Sequence, residues 1–540
     1  MLGSWHRNHM LSPPTVVDPE DVVNSRRIEV LKNVGSSWFS LGVNILVGIF
    51  LSPFILHRLG DTAFGIWVLI FSVTGYYGLF DLGIRSSVIR YVSTYSATDD
   101  TSGLARLINT SLATYTAIGT LALAVTLVCT LYVDRLFRIP SDFLTTARWL
   151  FLIVGASVAI GFPTGVFGGI LEGLQRFYWV NVTNLVSTLL RAVLIVVALT
   201  HGYGLLTVAL ITVILPIIGS IVRAIIVLAI LPIRFGWKYV DRGAFREIAN
   251  YSAISFVLMI AYKLRFKTDE IVIGTFLSVT AITYFSIGDR LLDYAAEVVS
   301  SLAQIFVPMS GQSDARGDKE HLRKILIAGN RACALIIFPI SAVLIILGKS
   351  VIEAWVGARY ISASYPVLLT LVIPITLSLA QAASVRILYG MARHQAMAWV
   401  TLMESIANLI LSIVLIGPFG IVGDAAGTAI PLLCTNLFFM PRHLCRLLGI
   451  RIRTFVWEAY KLPLALLAPF VLALLLVRHW FMLHTYLQLG LALTLALLPY
   501  AAGVLWALWS NRIWHVEKSL AATTQNEVAV ALIESYQEDH

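Results

Sequence analysis

The segment 262–274, YKLRFKTDEIVIG, concentrates charge inside an apolar stretch. Five charged residues fall within eight positions, and they are Lys263, Arg265, Lys267, Asp269 and Glu270. The apolar run ISFVLMIA precedes these charges, and the run IVIGTFLSVTAITYF follows them. Together they predict one membrane-spanning helix with charges in its middle. A charge at the centre of such a helix costs about 2.5–3.5 kcal/mol on insertion scales, so these side chains need polar partners or a specific use.

Helical geometry divides these charges between two faces. At 100° per residue, Lys263, Lys267 and Glu270 fall within about 60° of one another. Arg265 and Asp269 lie on the opposite side, with the i,i+4 spacing of an ion pair. We expect one face to line a polar cavity. The alternative is that the charges lie near a membrane interface and extend toward water.

The next apolar segment, FSIGDRLLDYAAEVVSS at 285–301, repeats the pattern. Its four charged residues, Asp289, Arg290, Asp293 and Glu297, share one helical face. Arg290 can pair there with Asp293 or Glu297. Three carboxylates and one guanidinium give this face a formal charge of −2, opposite in sign to the cationic excess one helix earlier.

Other apolar segments also contain polar residues. In YYGLFDLGIRSSVIR, at 76–90, Tyr77, Asp81 and Arg85 are predicted to form one stripe at i, i+4 and i+8, and Arg90 lies near the cytosolic end. The remaining embedded residues are Asn181, Asn184, Arg191, Arg331, Arg386, Glu404 and Asn408. Embedded charges mark substrate or ion pathways, so we expect a shared central cavity.

Composition places these segments in a polytopic membrane protein. Apolar residues make up 58% of the 540 residues and charged residues only 13%, too few for a soluble surface. About fourteen segments have the length and apolar content of a span. They centre near residues 46, 78, 118, 158, 189, 217, 262, 295, 336, 377, 406, 432, 467 and 497. The predicted fold class is therefore an all-α polytopic membrane protein.

Lys and Arg are concentrated in alternate loops, which predicts that both termini are cytosolic. The net charge of +9 mostly records those loops and does not indicate nucleic-acid binding. The predicted organisation is a cytosolic tail, two groups of six helices, two further helices and a second cytosolic tail. The corresponding ranges are 1–32, 33–250, 251–450, 451–510 and 511–540.

Three separated pairs of segments indicate an internal repeat. ILEGLQRF (170–177) matches ILYGMARH (387–394), and LTHGYGLL (199–206) matches IGPFGIVG (416–423), both at an offset of 217. AFGIWVL (63–69) matches AITYFSI (281–287) at an offset of 218. Six helices per repeat is an even number, so we expect two parallel lobes around a central cavity, related by an axis along the membrane normal.

The sequence lacks the common short motifs of enzymes. It contains no Walker loop, HExxH, CxxC or GxSxG, so we expect neither an enzyme nor a bound cofactor. Its four cysteines lack metal-ligand spacing, so no metal site is predicted. The glycine-rich stretches GVFGGILEG (165–173) and GIVGDAAG (420–427) are typical of helix packing rather than phosphate binding.

Two segments carry a family resemblance, RLGDTAFGIWVLIFSVTGYYGLFDLGIRSSVIRYVS (58–93) and KLRFKTDEIVIGTFLSVTAITYFSIGDRL (263–291). The residues that carry it are Leu59-Gly60, Phe64-Gly65-Ile66-Trp67, Asp81-Leu82-Gly83, Arg90-Tyr91, Thr268-Asp269, Ile271-Val272-Ile273-Gly274 and Tyr284. In these positions the chain resembles the polysaccharide-transport branch of the multidrug/oligosaccharidyl-lipid/polysaccharide (MOP) superfamily. Over about 35–450 it is similar to the Wzx-type flippases, which are often drawn with twelve spans rather than fourteen.

The resemblance implies that the chain flips an undecaprenyl-pyrophosphate-linked oligosaccharide across the inner membrane, the repeat unit of O-antigen, capsule or exopolysaccharide. Its expected partners are that substrate, the bilayer and other polysaccharide-assembly membrane proteins. Candidate phosphate-binding residues are Arg85, Arg90, Lys263, Arg265, Lys267 and Arg290. Candidates for charge balance, or for coupling to a proton or sodium ion, are Asp81, Asp269, Glu270, Asp289, Asp293 and Glu297.

Three alternatives remain open at this point. A lipid II-type flippase fits the fourteen spans better. An ion-coupled drug exporter is expected to have acidic cavity walls and few embedded cations. A membrane enzyme of polysaccharide synthesis is expected to have a large extramembrane loop with carboxylates, and the sequence has none.

Overall fold

The fold is a bundle of long helices. A computed structural model describes residues 19–81, 83–231, 235–246, 248, 268–480 and 485–514. The helices that build the bundle are α1 Pro19–Leu59, α2 Asp61–Gly75, α3 Ile84–Ala97, α4 Thr101–Leu131, α5 Val133–Leu136, α6 Ser141–Gly173, α7 Phe177–Thr200, α8 Leu205–Ile230, α9 Asp269–Phe276, α10 Val279–Ala303, α11 Phe306–Ala315, α12 Lys319–Val356, α13 Ile361–Ala380, α14 Ala382–Gly390, α15 Gln395–Cys434, α16 Met440–Leu448, α17 Ile452–Trp480 and α18 Tyr486–Trp509. Short 3-10 turns at Tyr76–Asp81, Trp237–Tyr239 and Ala358–Tyr360 and a π-helix at Thr435–Phe439 complete it, and these residues contain no strand.

Twelve helical segments of the described chain are long and apolar enough to cross a membrane. One of them, Gln395–Leu448, is 54 residues long and turns back on itself, so the described residues contain thirteen candidate spans. The predicted seventh span, centred near residue 262, lies largely outside the described residues. The all-α polytopic class is confirmed, whereas the count of fourteen stays a prediction.

The turn within α15 depends on Gly420, whose φ of 59° and ψ of −140° are non-helical. Beyond it the Thr428 hydroxyl returns to 3.2 Å from Asn408 Oδ1. In an unbroken helix these residues would be about 30 Å apart. Glycine suits this backbone conformation because it has no β-carbon. Residues 395–419 and 421–434 therefore form an antiparallel hairpin.

The predicted stripe of Tyr77, Asp81 and Arg85 is wrong as a helical feature. Residues Tyr76–Asp81 form a 3-10 turn, and Gly83 with φ 78° separates it from α3. Side chains across this break no longer follow a 100° spacing, although Asp81 and Arg85 stay close to each other and both lie beside Tyr115.

Among the residues that the structure describes, one apolar core joins the two predicted halves, and it lies at one end of the bundle. At the Asp61 end, which carries the connections 59–61, 276–279 and 356–361, a single core unites α1, α2 and α6 with α10, α12 and α13. At the Gly173 end, which carries the connections 173–177, 315–319 and 390–395, each half has its own core. Helices α17 and α18 pack on α12 of the second half.

Matched contacts support the predicted repeat. A β-carbon at Gly173 would lie 2.8 Å from Ile89 O and 2.9 Å from Val92, whereas one at Gly390 would overlap Val307 O and Ser310 Oγ. The glycines differ in number by 217 and both pairs of neighbours by 218. Equivalent positions in two repeats would have matched contacts of this kind, so these contacts support the repeat, which stays a prediction.

Helices α2 and α10 also contact each other in the way expected of two equivalent helices on either side of a two-fold axis. Thr62 and Thr280, 218 positions apart, approach each other at 3.2 Å between their hydroxyl oxygens. A two-fold axis brings a residue against its own equivalent, which supports the repeat independently of the glycines. The lobe boundaries at 33–250 and 251–450 stay predictions.

We predict that Gly390→Ala destabilises the protein by about 1–3 kcal/mol, because the added methyl has no space beside Val307 O. Gly173→Ala should act in the same direction. The matched control is Gly165→Ala, since a β-carbon at that position meets no atom within 4 Å. Thermal unfolding in detergent measures the effect. Equal midpoints for Gly390→Ala and Gly165→Ala would contradict the close approach.

Candidate functional site

Polar contacts close the bundle at the Asp61 end. The Asp61 carboxylate lies 3.0 Å from Arg359 Nη2 and accepts a 2.5 Å hydrogen bond from the Tyr360 hydroxyl. Its backbone carbonyl accepts a 2.7 Å bond from the Thr283 hydroxyl. Asp61 belongs to the first half and the other three residues to the second, so this cluster connects the halves.

A second polar link lies on the same side of the shared core. The Trp355 indole donates a 2.7 Å hydrogen bond to Ile49 O, again from one half to the other. Together with the apolar core, these bonds seal the Asp61 end.

Beneath this seal lies a cavity of about 460 Å³ between the halves. Helices α1, α2, α7 and α8 of the first half and α9 and α10 of the second contribute its walls. At 1.5 Å per residue, Ser286 and Glu297 lie about 10 and 27 Å from the start of α10. The cavity thus crosses the middle of a hydrocarbon layer about 30 Å thick.

Several predicted site residues line this cavity. They are Glu270, Asp289, Arg290, Asp293 and Glu297. The predicted common face of Asp289, Arg290, Asp293 and Glu297 is confirmed, since α10 is a regular helix here. Arg290 forms no ion pair within 4 Å among the described residues, but its charge acts on the Glu297 carboxylate at longer range, so the predicted pairing stays a prediction.

Arg191 also lines the cavity, and its position there could not be predicted from the sequence. The sequence marks it as an embedded charge, but only the packing of α7 against α1 and α8 shows that it lines the cavity. Within the part of the chain that the structure describes, its guanidinium has neither a carboxylate partner nor a hydrogen bond. A buried cation in this state requires an anion or water.

An oxygen-rich cluster lies between α9 and the α15 hairpin. The Thr428 hydroxyl is 3.1 Å from both carboxylate oxygens of Asp269, and the Ser412 hydroxyl is 3.0 Å from Asn408 Oδ1. Asp424 is completely buried beside this cluster, and neither of its carboxylate oxygens has a hydrogen-bond partner among the described residues. Such a carboxylate costs several kcal/mol if it stays ionised without a partner, so a proton or a cation must neutralise it.

The predicted ion pair of Asp269 with Arg265 cannot be located, because Lys263, Arg265 and Lys267 lie outside the described residues. Glu270, one residue after Asp269, faces the cavity instead. The two neighbouring carboxylates of α9 therefore have different partners, but the two regions adjoin, because Glu270 and Asp289 of the cavity lie close enough to Asp424 to repel its charge.

Arg85 and Asp81 lie away from the cavity, in the first half. Arg85 forms a 2.5 Å ion pair with Glu172, and the Tyr115 hydroxyl donates to Asp81. Arg223 lies in the same region and donates to Asn184 at 2.8 Å. It is an arginine within the apolar segment Leu205–Ile230, a signal that the sequence-based prediction did not single out. A β-carbon at Gly168 would be 3.8 Å from both Arg85 Nη2 and Arg223 Nε, so two guanidinium groups lie beside this glycine. Glu172 is the carboxylate that pairs with one of them, Arg85.

Arg90 is exposed near the Gly173 end, with its guanidinium 5.8 Å from the Tyr91 ring centre. It does not line the cavity. Of the predicted phosphate-binding residues that the structure describes, Arg290 alone reaches the central cavity, because the break at Gly83 redirects α3.

The fold and this site define a multi-pass membrane transporter, with a polar cavity between two helical halves that are sealed together at one end. Residues 30–314, 285 of the 540, match the family described as polysaccharide biosynthesis protein. The chain therefore belongs to that family.

Known proteins agree with this assignment. The chain is 23% identical to the uncharacterized membrane protein EpsK of Bacillus subtilis, over 77% of this chain and 83% of that protein. It is 18% identical to a Shigella flexneri protein named as an O-antigen transporter, over 75% of this chain and 95% of that one.

Solved structures share the fold. The lipid II flippase MurJ, in an inward closed conformation, superposes with a TM-score of 0.67 at 16% identity, over 90% of this chain and 100% of that one. An inward-facing multidrug resistance MATE family transporter of the MOP superfamily gives 0.65 at 15% identity, over 75% and 94%. The predicted polysaccharide-transport resemblance is confirmed by the family match, and the fold is the one that these transporters share.

We predict that Asp61→Asn weakens the seal, because it removes the charge that holds Arg359. A cysteine placed at the cavity residue Ser52, in a background without native cysteines, reports access from the Asp61 side. A membrane-impermeant thiol reagent should label it several-fold faster in the Asp61→Asn variant. The control is Asp134→Asn, which breaks the exposed ion pair to Arg148 within one half. Equal labelling rates in the two variants would show that Asp61 does not hold the seal.

Proposed function

We propose that the protein is a flippase of the cytoplasmic membrane that moves an undecaprenyl-pyrophosphate-linked oligosaccharide from the cytosolic to the opposite face. The observation that carries the proposal is Arg191. It lies within a membrane span, faces the cavity and has no anionic partner among the described residues. A diphosphate supplies such a partner through charge-assisted hydrogen bonds, and Arg290 extends from the opposite wall.

An apolar groove beside the cavity supports an amphipathic substrate. It has a volume of about 510 Å³ and lies between α1 and α7, lined by residues such as Phe50, Phe54 and Val193. Val47 and Leu51 line both the groove and the polar cavity. A polar head in the cavity and a polyprenyl chain in the groove would therefore be adjacent.

The asymmetry of the two ends supports alternating access. The Asp61 end is sealed, whereas each half has a separate core at the Gly173 end. The Lys and Arg distribution predicts that the Gly173 end is cytosolic, with both termini on that side. We infer that the structure is an inward-facing state in which Arg85, Arg223 and Arg90 are the first cations that an entering head group meets.

An ion-coupled exporter of cationic amphiphiles is the second candidate, favoured by one specific observation. The described cavity walls hold four carboxylates and two guanidiniums, a formal charge of −2. Lys263, Arg265 and Lys267 would change this sum to +1 if all three faced the cavity. A lipid II-type cargo has the same polyprenyl diphosphate but a different head group, a disaccharide that bears a peptide, and the same cations would bind its diphosphate.

We predict that Arg191→Gln weakens binding of farnesyl diphosphate, a short polyprenyl diphosphate, about ten- to a hundredfold, because one charge-assisted hydrogen bond is lost. Arg191→Lys should retain part of the affinity. Arg148→Gln, at an exposed ion pair, is the matched control. Binding to the purified full-length protein measures the effect, with tetraphenylphosphonium as the competing ligand class. Binding of the phosphonium but not of the diphosphate would favour the exporter.

We further propose that Asp424, Asp269 and the oxygen atoms around them hold the coupling ion, a proton or sodium. The cluster offers carboxylate, amide and hydroxyl oxygens, which suit a hard monovalent cation. Asp424 is buried, and its carboxylate oxygens accept no hydrogen bond from a described residue, so a cation or a proton is needed to neutralise it.

We predict that the unfolding midpoint of the wild-type protein depends on sodium concentration or on pH, and that Asp424→Asn removes this dependence. A neutral amide at that position needs no cation. Asp134→Asn, which changes an exposed carboxylate, should leave the dependence as it is. If Asp424→Asn responds to sodium and pH as the wild type does, this cluster is not the coupling site.

A further inference from the structure

A basic pocket lies outside the two halves, between α12 and the C-terminal helices α17 and α18. Its volume is about 740 Å³, and its lining residues are Arg331, Trp457, Glu458, Lys461, Leu462, Ala465, Ser510 and Arg512. Three cations and one carboxylate give these walls a formal charge of +2. Neither the transport cavity nor the oxygen-rich cluster shares a residue with it.

The pocket is built on buried polar groups. Arg331 is only 1% exposed and Glu458 3%. Arg331 Nη1 donates a 3.0 Å hydrogen bond to Ile513 O, and its Nε donates a 3.1 Å bond to Glu458 O. Arg331 thus holds the end of α18 against the beginning of α17, and its own hydrogen bonds are largely used in doing so.

Two other cations face the opening. Lys461 contacts the Glu458 carboxylate at 2.9 Å, while its side chain stays 32% exposed. Arg512 lies 4.5 Å over the Trp506 ring, and no carboxylate of the described residues pairs with it. Glu458 already lies beside two cations, so the cationic excess is at the mouth of the pocket.

The position of the pocket indicates which anion it would take. Tryptophan is enriched at the level of lipid head groups, and two exposed tryptophans lie here, Trp457 in the pocket wall and Trp506 beneath Arg512. Leu462 and Ala465 continue the wall along α17 toward the apolar core of the membrane. A ligand here would meet cations at head-group depth and apolar surface beneath it.

We propose that this pocket binds the phosphodiester head of an anionic glycerophospholipid, with Lys461 and Arg512 contacting the phosphate and Leu462 the acyl chain. Basic pockets between membrane helices recognise anionic head groups through this combination. The phospholipid would join α17 and α18 to α12 and is distinct from the transported substrate. Free phosphate shares the anionic chemistry but lacks the acyl chains.

The test uses the purified full-length protein in a neutral detergent and measures the unfolding midpoint during titration with phosphatidylglycerol. The wild-type midpoint should rise, while phosphatidylcholine and inorganic phosphate should leave it unchanged. The double variant Lys461→Gln/Arg512→Gln should raise the half-saturating lipid concentration at least about tenfold, because both phosphate contacts are lost. Arg453→Gln, an exposed cation on the same helix outside the pocket, is the matched control.

The comparison uses the lipid-induced shift, so a lower starting midpoint of the double variant does not affect it. Native mass spectrometry of retained phosphatidylglycerol gives a second reading of the same binding. An unchanged half-saturating concentration in the double variant would overturn the proposal, as would equal shifts with inorganic phosphate or with phosphatidylcholine. None of these readings depends on diphosphate binding in the central cavity, so the two proposals fail separately.

Discussion

Hydrocarbon cannot solvate a charged side chain, and the embedded charges of this protein are distributed as that constraint requires. Arg331 is fully buried, and backbone carbonyl groups and Glu458 surround it. Arg85 pairs with Glu172. The cavity residues Arg191 and Arg290 are different, because they share a space with carboxylates without forming an ion pair among the described residues. Satisfied charges thus hold helices together, and the unsatisfied ones define where a ligand is needed.

The second constraint is the uneven packing of the two halves. One apolar core crosses between them at the Asp61 end, and separate cores stabilise each half at the Gly173 end. At the Gly173 end each half is packed around a core of its own, so the packing there does not depend on the other half. The bonds of Asp61 to Arg359 and Tyr360 are few and polar, and water can replace them when that end opens. The shared apolar core is the larger cost of opening, which an entering substrate or ion has to offset.

Periodicity in the sequence predicts what lies on one regular helix and fails where the helix breaks. The cavity face of Asp289, Arg290, Asp293 and Glu297 follows from spacing alone because α10 is continuous. The stripe through Asp81 and Arg85 fails because the 3-10 turn and Gly83 intervene. The role of Arg191 depends on packing between distant helices, which no local pattern encodes. Asp424 lies within GIVGDAAG, a stretch of small residues that is typical of helix packing. The sequence signal for a site there is a single carboxylate within an apolar segment that has no cation nearby in the sequence.

Two successive residues of helix α9 contribute to the proposed ion site and to the cavity. Asp269 points to Thr428, and Glu270 lines the cavity, as expected for side chains about 100° apart on a helix. A diphosphate that enters walls of formal charge −2 is repelled until cations neutralise some of the carboxylates. Under the proposed function, a proton or sodium ion at Asp269 and Asp424 would lower this repulsion, because the charges of Asp424 and Glu270 act on each other. Linkage is reciprocal, so a bound diphosphate would in turn increase the affinity of the proposed ion site for the cation.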